Sequence, residues 1–449
     1  MDIFNDEQKQ KEVTELLQKL IRANTTNPPG NEIVAARILD DYYSSYGLHG
    51  EFIESEKDRA SFYMEIPGKN PKNPTLMLMS HLDVVYANPE EWDHPPFGAE
   101  IYDGFLYGRG AMDTKGLVAV QAVALANLYN EGHEFKGTVK VLNEADEEMF
   151  GTKGVKWLVK NHPEKCKADL VLNEGGGNEV PKLSGIPLKF KRPMLLIETA
   201  CKGVFWIELK IKGVAAHGSI AEYTKNPIMK LRKILSAIYH HKKPIEITPL
   251  FKKMLKSLPL NGFLKAFLGS KFIMKLLVGN PAKSFSSLKI FVQSTISPNI
   301  VRGGEKENVI PDEVTVTLDC RQLPGRDLEY LMKFLKEITN KYKDDVIITP
   351  KLCTVGNESP FDHEYYRMIE ELIDKEYDMD IMPYLLPGGE DTVYLRPLGN
   401  ISYGFFPMRA DAEVDLLEIA HGKNELISLN NLYLGTDFYY KFIKKFSSM

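Results

Sequence analysis

Short apolar runs that end on His, Asp or Glu, separated by stretches of helical periodicity, constrain this chain more than any other feature. Residues 7–22 place Val13, Leu16, Leu17, Leu20 and Ile21 at helical spacing, and a second helix is predicted over 31–46. Apolar runs then alternate with helical patterns: Thr75–Ser80, a helix near 116–131, Thr138–Asn143, a helix near 152–161, and Asp169–Asn173. Strands interleaved with helices predict an α/β domain, a mixed, largely parallel sheet flanked by helices.

The texture changes after Gly203. Val204–Gly213 alternates as a half-buried strand does, and a helix follows from about Pro227 to His241. Val314–Arg321 alternates again, before a helix near 327–341 and a strand at Val346–Thr349. That pattern suits a small α+β domain with one sheet face exposed. From Pro360 the first rhythm returns, with a helix at 363–376, an apolar run at Ile401–Phe406 and a last helix beyond Ser428. At 449 residues two domains are expected. The predicted organisation is a catalytic domain in two parts, 1–202 and 356–449, with a second domain, 203–355, inserted between them.

Composition narrows the function. A net charge of −5 argues against nucleic acid as the main partner. The four cysteines, Cys166, Cys201, Cys320 and Cys353, are far apart, so neither a disulfide scaffold nor a thiolate metal site is expected. No secretory signal and no apolar run of about 18 residues is readable, and the expected location is cytoplasmic. One stretch is unusual: between Glu246 and Glu305 there is no Asp or Glu, yet there are eight Lys and Arg302. Its core, 243–290, reads as a basic amphipathic insertion. Either its lysines are simply solvated, or residues 247–304 form a basic face toward acidic substrates or an anionic lipid surface.

The polar clusters sit just after predicted strands, where open α/β sheets place their sites. His81-Leu82-Asp83 offers an imidazole with a carboxylate two residues on that can fix its tautomer. Gly108–Gly116 resembles a dinucleotide-binding turn, but Asp113 stands where the third glycine belongs. What remains is a carboxylate in a glycine-rich turn at a helix start, either a bridging metal ligand or an N-cap. Glu144, Asp146, Glu147 and Glu148 follow one strand; they are either a solvated acidic surface or a cluster whose repulsion divalent cations relieve. Glu174 precedes Gly175-Gly176-Gly177, and His421 lies in Ala420–Glu425. Together these His, Asp and Glu side chains, without cysteine, point to a two-metal site of nitrogen and oxygen ligands. HExxH, GxSxG and P-loop motifs are absent.

These motifs, in this order, resemble the zinc-dependent metallopeptidase family of aminoacylases, acetylornithine deacetylases, succinyl-diaminopimelate desuccinylases and glutamate carboxypeptidases. The likeness runs from Thr26-Asn27-Pro28-Pro29-Gly30-Asn31-Glu32 to the final helix, and includes Trp92, Pro95-Pro96-Phe97, Asp103-Gly104 and Gly108-Arg109-Gly110. It implies a zinc exopeptidase-like catalytic domain with an inserted lid and dimerisation domain, and hence a homodimer.

The resemblance further implies that His81 and Glu174 bind one zinc and Glu148 and His421 another, with Asp113 bridging. Co2+ or Mn2+ are possible substitutes. Asp83 would orient His81, Glu147 would be the general base, and a cis peptide would follow Asp113. His217 would polarise the scissile carbonyl of a partner subunit's substrate. Asn308 and Arg321 would hold the substrate's carboxylate, under a loop bearing Gly388 and Gly389. The family usually has Thr where Glu390 stands, which leaves substrate preference open. The implied reaction is amide hydrolysis releasing an amino acid, either from a short peptide or from an N-acyl amino acid.

Overall fold

A computed structural model describes residues 6–449 except 181, 184–185, 188, 221, 223–224, 242, 279–287 and 411–418. The chain divides into two compact units. One comprises Met1–Thr199, Ser359–Tyr384 and Glu390–Met449; the other comprises Ala200–Glu358 and Leu385–Gly389.

In chain order, the first unit opens with helices α1 (Glu7–Arg22) and α2 (Glu32–Ser44) and strands β1 (Glu51–Glu56), β2 (Arg59–Ile66) and β3 (Leu76–His81). Next come α3 (Lys115–Asn130), β4 (Val139–Glu144), α4 (Val155–Asn161), β5 (Leu170–Asn173) and β6 (Met194–Cys201). The second unit contains β7 (Gly203–Lys212), α5 (Pro227–His240), α6 (Pro249–Ser257), α7 (Gly262–Leu268) and α8 (Lys271–Val278). It continues with β8 (Thr295–Arg302), β9 (Glu313–Gln322), α9 (Leu328–Thr339) and β10 (Val346–Thr354). The chain ends with α10 (Glu364–Tyr377), β11 (Asp380–Leu386), β12 (Ile401–Gly404) and α11 (Leu429–Phe446).

The first unit is built on an eight-stranded sheet of order β1-β2-β4-β3-β5-β12-β6-β11. Its centre is parallel: β3 pairs in parallel with β4 and β5, and β12 with β5. β1 with β2, β2 with β4, and β6 with β12 are antiparallel. The register sets His81 opposite Glu144 and Asn173 opposite Gly404, so the carboxyl ends of four central strands finish at one edge. Helix α3, KGLVAVQAVALANLYN, is apolar on nearly all sides and is therefore buried, packed on α1 and α11. This is the α/β fold that the alternation of runs predicts.

The second unit has a four-stranded antiparallel sheet of order β8-β9-β7-β10. Alternate residues Phe205, Ile207, Leu209 and Ile211 of β7, with Val314, Val316 and Leu318 of β9, form a core against Leu231, Ile234 and Ile238 of α5 and Leu331 and Leu335 of α9. The basic insertion expected at 243–290 folds into α6, α7 and α8; its residues 279–287, Lys283 among them, lie outside the described residues.

Some strands escape the periodicity argument. β2 is buried along nearly its whole length, so it shows no alternation. β8 is an edge strand carrying Pro298, with a register shift between Pro298 and Ile300, and proline is tolerated only at such edges and bulges. Among the described residues no helix is long and apolar enough to cross a membrane.

Candidate metal centre

The carboxyl edge of the central strands gathers the predicted polar residues of the first unit. His81, the last residue of β3, is buried, with Nε2 3.0 Å from Asp113 Oδ1 and 3.6 Å from Glu174 Oε2. On the other side of Asp113, its Oδ2 lies 3.2 Å from His421 Nε2, which is 3.1 Å from Glu148 Oε2. Two candidate ligand triads result, His81–Asp113–Glu174 and Asp113–Glu148–His421, each with its donor atoms within 4.8 Å of one another. Asp113 belongs to both, and the peptide bond that follows it is cis, as expected.

The donor set suits hard or borderline dications, being carboxylate oxygen and imidazole nitrogen without sulfur. Glu148 Oε1 is buried and has no hydrogen-bond partner among the described residues, as a ligand atom awaiting a cation would be. Electrostatics agree. Burial pushes Glu174 up to about 7 and holds Glu147 and Glu148 above the ordinary carboxylate range. Hydrogen bonds to Asp113 and Glu148 raise His421 to about 10. Burial works against a charged His81, yet the charge of Glu174 and its bond to Asp113 raise it well above the ordinary value. The cluster therefore attracts positive charge, and the same field favours divalent ions.

The buttressing residues explain why these side chains converge. The Asp83 carboxylate accepts the backbone N–H of Glu147 at 3.1 Å and of Glu148 at 3.2 Å, and an N–H of Asn27 Nδ2 at 2.8 Å. His81 Nδ1 lies nearer the Asp83 backbone carbonyl, at 2.9 Å, than its carboxylate, at 3.5 Å. Asp83 thus orients the imidazole chiefly through its main chain, while its side chain holds the Glu147–Glu148 turn. Asp146 secures the same turn in a left-handed conformation (φ 70°) by accepting from Asn27, Arg59, Thr152 and the Lys153 N–H. Glu174 is set by close approach: a Cβ on Gly404 would sit 1.8 Å from the Glu174 carbonyl oxygen.

Sequence reasoning missed Glu425. It is fully buried, and its carboxylate accepts from the N–H groups of Gly110, Met112 and Asp113 at 2.9–3.0 Å and from Arg109 Nη1 at 2.7 Å. Arg109 Nη2 in turn donates to the carbonyls of His421 and Gly422. This pair ties the Asp113 turn to the His421 loop. The signal was a second carboxylate four residues after His421 and an arginine inside a glycine-rich turn.

Glu390 is turned into the protein. It is buried, 3.0 Å from Arg396 Nη1, and accepts from the Thr392 N–H and from Asn173 Nδ2. Arg396 also bonds both oxygens of Glu198 at 2.9 Å.

The remaining predicted residues belong to the second unit. His217 and Asn308 come together there: a short ribbon pairs His217 with Val309, and Gly218 N–H donates to the Asn308 carbonyl at 2.7 Å. The His217 imidazole is exposed, with Nδ1 2.7 Å from Ser219 Oγ. Arg321 lies on β9 with its guanidinium on Asp319, at 2.7 and 3.0 Å. A Cβ on Gly388 would only touch Leu386, at 4.0 Å, whereas one on Gly389 would approach Val204 to 2.8 Å.

Comparison with known proteins agrees with this geometry. The model of the family described as peptidase family M20/M25/M40 matches residues 77–445. The chain is 27% identical to the N-fatty-acyl-amino acid synthase/hydrolase PM20D1 of Xenopus tropicalis, over 86% of this chain and 75% of that protein. It is 24% identical to aminoacylase-1 of Mus musculus, over 94% of this chain and 92% of that one. In fold it is similar to an M20 family metallo-carboxypeptidase from Sulfolobus solfataricus, with a TM-score of 0.73 at 21% identity over 98% and 99% of the two chains.

Proposed function

The chain belongs to peptidase family M20/M25/M40, metal-dependent hydrolases of amide bonds, and from that premise we propose that it is a two-metal hydrolase releasing an amino acid from an N-acyl amino acid. The observation that carries the reading is the sharing of Asp113 between two triads, with the half-buried Glu147 carboxyl beside them. His81, Asp113 and Glu174 would hold one ion, and Asp113, Glu148 and His421 the other. Zinc suits these donors, and cobalt or manganese are substitutes. Bound dications supply an acidified water, its pKa lowered toward about 7, and polarise the substrate's carbonyl oxygen.

The chain's own residues do the rest. Glu147 takes the proton of the attacking water on its carboxylate and hands it to the nitrogen of the leaving amine. Desolvation, with the charge of Glu174, disfavours its charged form and suits it to holding that proton between the two transfers. Asp83 keeps Glu147 aimed by fixing its backbone N–H. In a homodimer, the partner subunit's His217 is assigned to the carbonyl oxygen, where its N–H would stabilise the developing oxyanion. Arg321 and Asn308 are assigned to the amino acid's carboxylate, with Gly388 and Gly389 in a closing loop.

The acyl side rests on the relatives. PM20D1 and aminoacylase-1 are named for N-acyl amino acids, and both are matched over most of this chain. A carboxypeptidase or dipeptidase reading is the second, supported by 26% identity to a probable carboxypeptidase S-like protein of Dictyostelium discoideum. Metal analysis paired with a hydrolysis screen tests both. About two metal ions per chain with cleavage of acetyl or long-chain acyl amino acids supports the proposal. Cleavage of dipeptides alone selects the second reading. A chain that takes up no metal overturns the site.

A further inference from the structure

The acid-free stretch between Glu246 and Glu305 supplies none of the residues assigned above, and its structure gives it a distinct character. Helices α7 and α8 pack on each other and bury Leu268, Met274 and Val278, yet they leave large apolar side chains outside. Phe263 is 80% exposed, Phe272 70% and Leu276 55%. Phe263 stacks on Phe267 at 6.3 Å, one turn apart on α7, and Phe272 and Leu276 repeat that spacing on α8. Scattered exposed apolar residues are ordinary, but four on two touching helices make a patch.

The stretch that carries that patch has charge of one sign only, with no Asp or Glu between Glu246 and Glu305. Lys252, Lys256, Lys271, Lys275 and Arg302 are exposed, and Lys253, Lys265 and Lys289 are half-buried. None of them makes an ion pair among the described residues. Cations that flank exposed phenylalanine and leucine without carboxylate partners match the composition of surfaces that rest on anionic lipid, aromatic groups entering the headgroup boundary and lysines meeting phosphates.

We infer that the α7–α8 face of the second unit docks on an anionic phospholipid bilayer. A second copy of the chain fits less well, because a two-fold contact would set this lysine-rich patch against itself. Nucleic acid fits less well too: Leu276 and the half-buried Ile273 offer nothing to stack on bases, whereas both suit hydrocarbon.

Flotation of the full chain with phosphatidylcholine vesicles, with and without phosphatidylglycerol, tests this. Binding is expected to the anionic vesicles only, and to weaken in high salt. Exchanging Phe263→Ser together with Phe272→Ser should weaken it at least about tenfold, and Lys271→Gln or Lys275→Gln about fivefold each. Circular dichroism and amide hydrolysis by the variants check that they fold; should the phenylalanine pair misfold, the exposed lysine variants decide. Absence of binding to anionic vesicles overturns the inference, as does binding that none of these changes weakens. A fall in native mass of the phenylalanine variant in light scattering would show that a second copy covers the face. Capture of single-stranded nucleic acid without vesicle binding would transfer the face to that partner, and the inference would fail. Because hydrolysis is read separately, none of these outcomes bears on the catalytic proposal.

Discussion

The Asp83 carboxylate grips the backbone N–H of Glu147 at 3.1 Å and, through its second oxygen, that of Glu148 at 3.2 Å. A residue two positions after the first imidazole thereby sets the aim of the proposed base. Asp83→Asn retains one acceptor oxygen and loses the charge, so the turn loosens. We expect kcat and metal affinity to fall about 10- to 100-fold. Steady-state rates with metal titration measure both, and wild-type values for the variant would mean that the turn holds itself.

Glu147→Gln separates base from ligand. The variant should retain the wild-type metal content, since Glu147 belongs to neither triad. Its kcat should drop at least about 100-fold. Comparable activity in that variant would show that another group takes the proton.

Glu425→Ala leaves Arg109 buried and unpaired and releases the Asp113 turn. Breaking a buried pair from one side costs about 3–5 kcal/mol. Denaturant unfolding should show a loss of that order, with weaker metal retention. A change under about 1 kcal/mol would mean that the turn does not depend on Glu425.

Glu390→Thr tests whether the unusual carboxylate selects substrate. Its oxygens are spent on Arg396, Thr392 and Asn173, so the substitution should lower stability and leave the ranking of substrates unchanged. The loss should fall short of a fully broken pair, since Glu198 still holds Arg396. A reordered substrate profile would restore Glu390 to the specificity determinants.

Chelation should invert the response to pH. Without metal, His421 binds its proton up to about 10 in the folded chain, against an ordinary 6.5. A raised imidazole pKa stabilises the fold fully below the ordinary value, and that contribution is lost as pH climbs through about 10. Thermal unfolding of chelator-treated protein should therefore show a falling midpoint from pH 7 to 10. Metal uptake at pH 7 should release protons, measurable by calorimetry in buffers of different ionisation enthalpy. A midpoint that rises over this range would contradict the proton-holding role of His421.

Much of this was legible because two of the candidate ligands close strands of strong apolar pattern, as His81 ends LMLMSH and Glu174 follows LVLN. Period and chemistry then coincide at one position. What the sequence hid was the buttressing, because Asn27 acts on Asp83 across 56 residues and Glu425 on Arg109 across 316, and neither contact carries a periodic signal. Strands such as β2 and β8 were hidden for a different reason, one being buried on both faces and the other lying at an exposed edge. The sequence left the meaning of Glu390 open because position says nothing of which way a side chain turns, and the structure buries it against Arg396.

The order β5-β12-β6 places a strand from residues 401–404 between two strands completed before residue 202. During synthesis the amino-terminal half therefore cannot close its sheet when its own strands emerge; it must wait for the whole second unit to be made. At a translation rate of about 5–20 residues per second, that interval is roughly 10–40 s. Throughout it, β5 and β6 have backbone groups that lack their eventual partner, which is the moment this nascent chain is most exposed to mispairing and to chaperone capture.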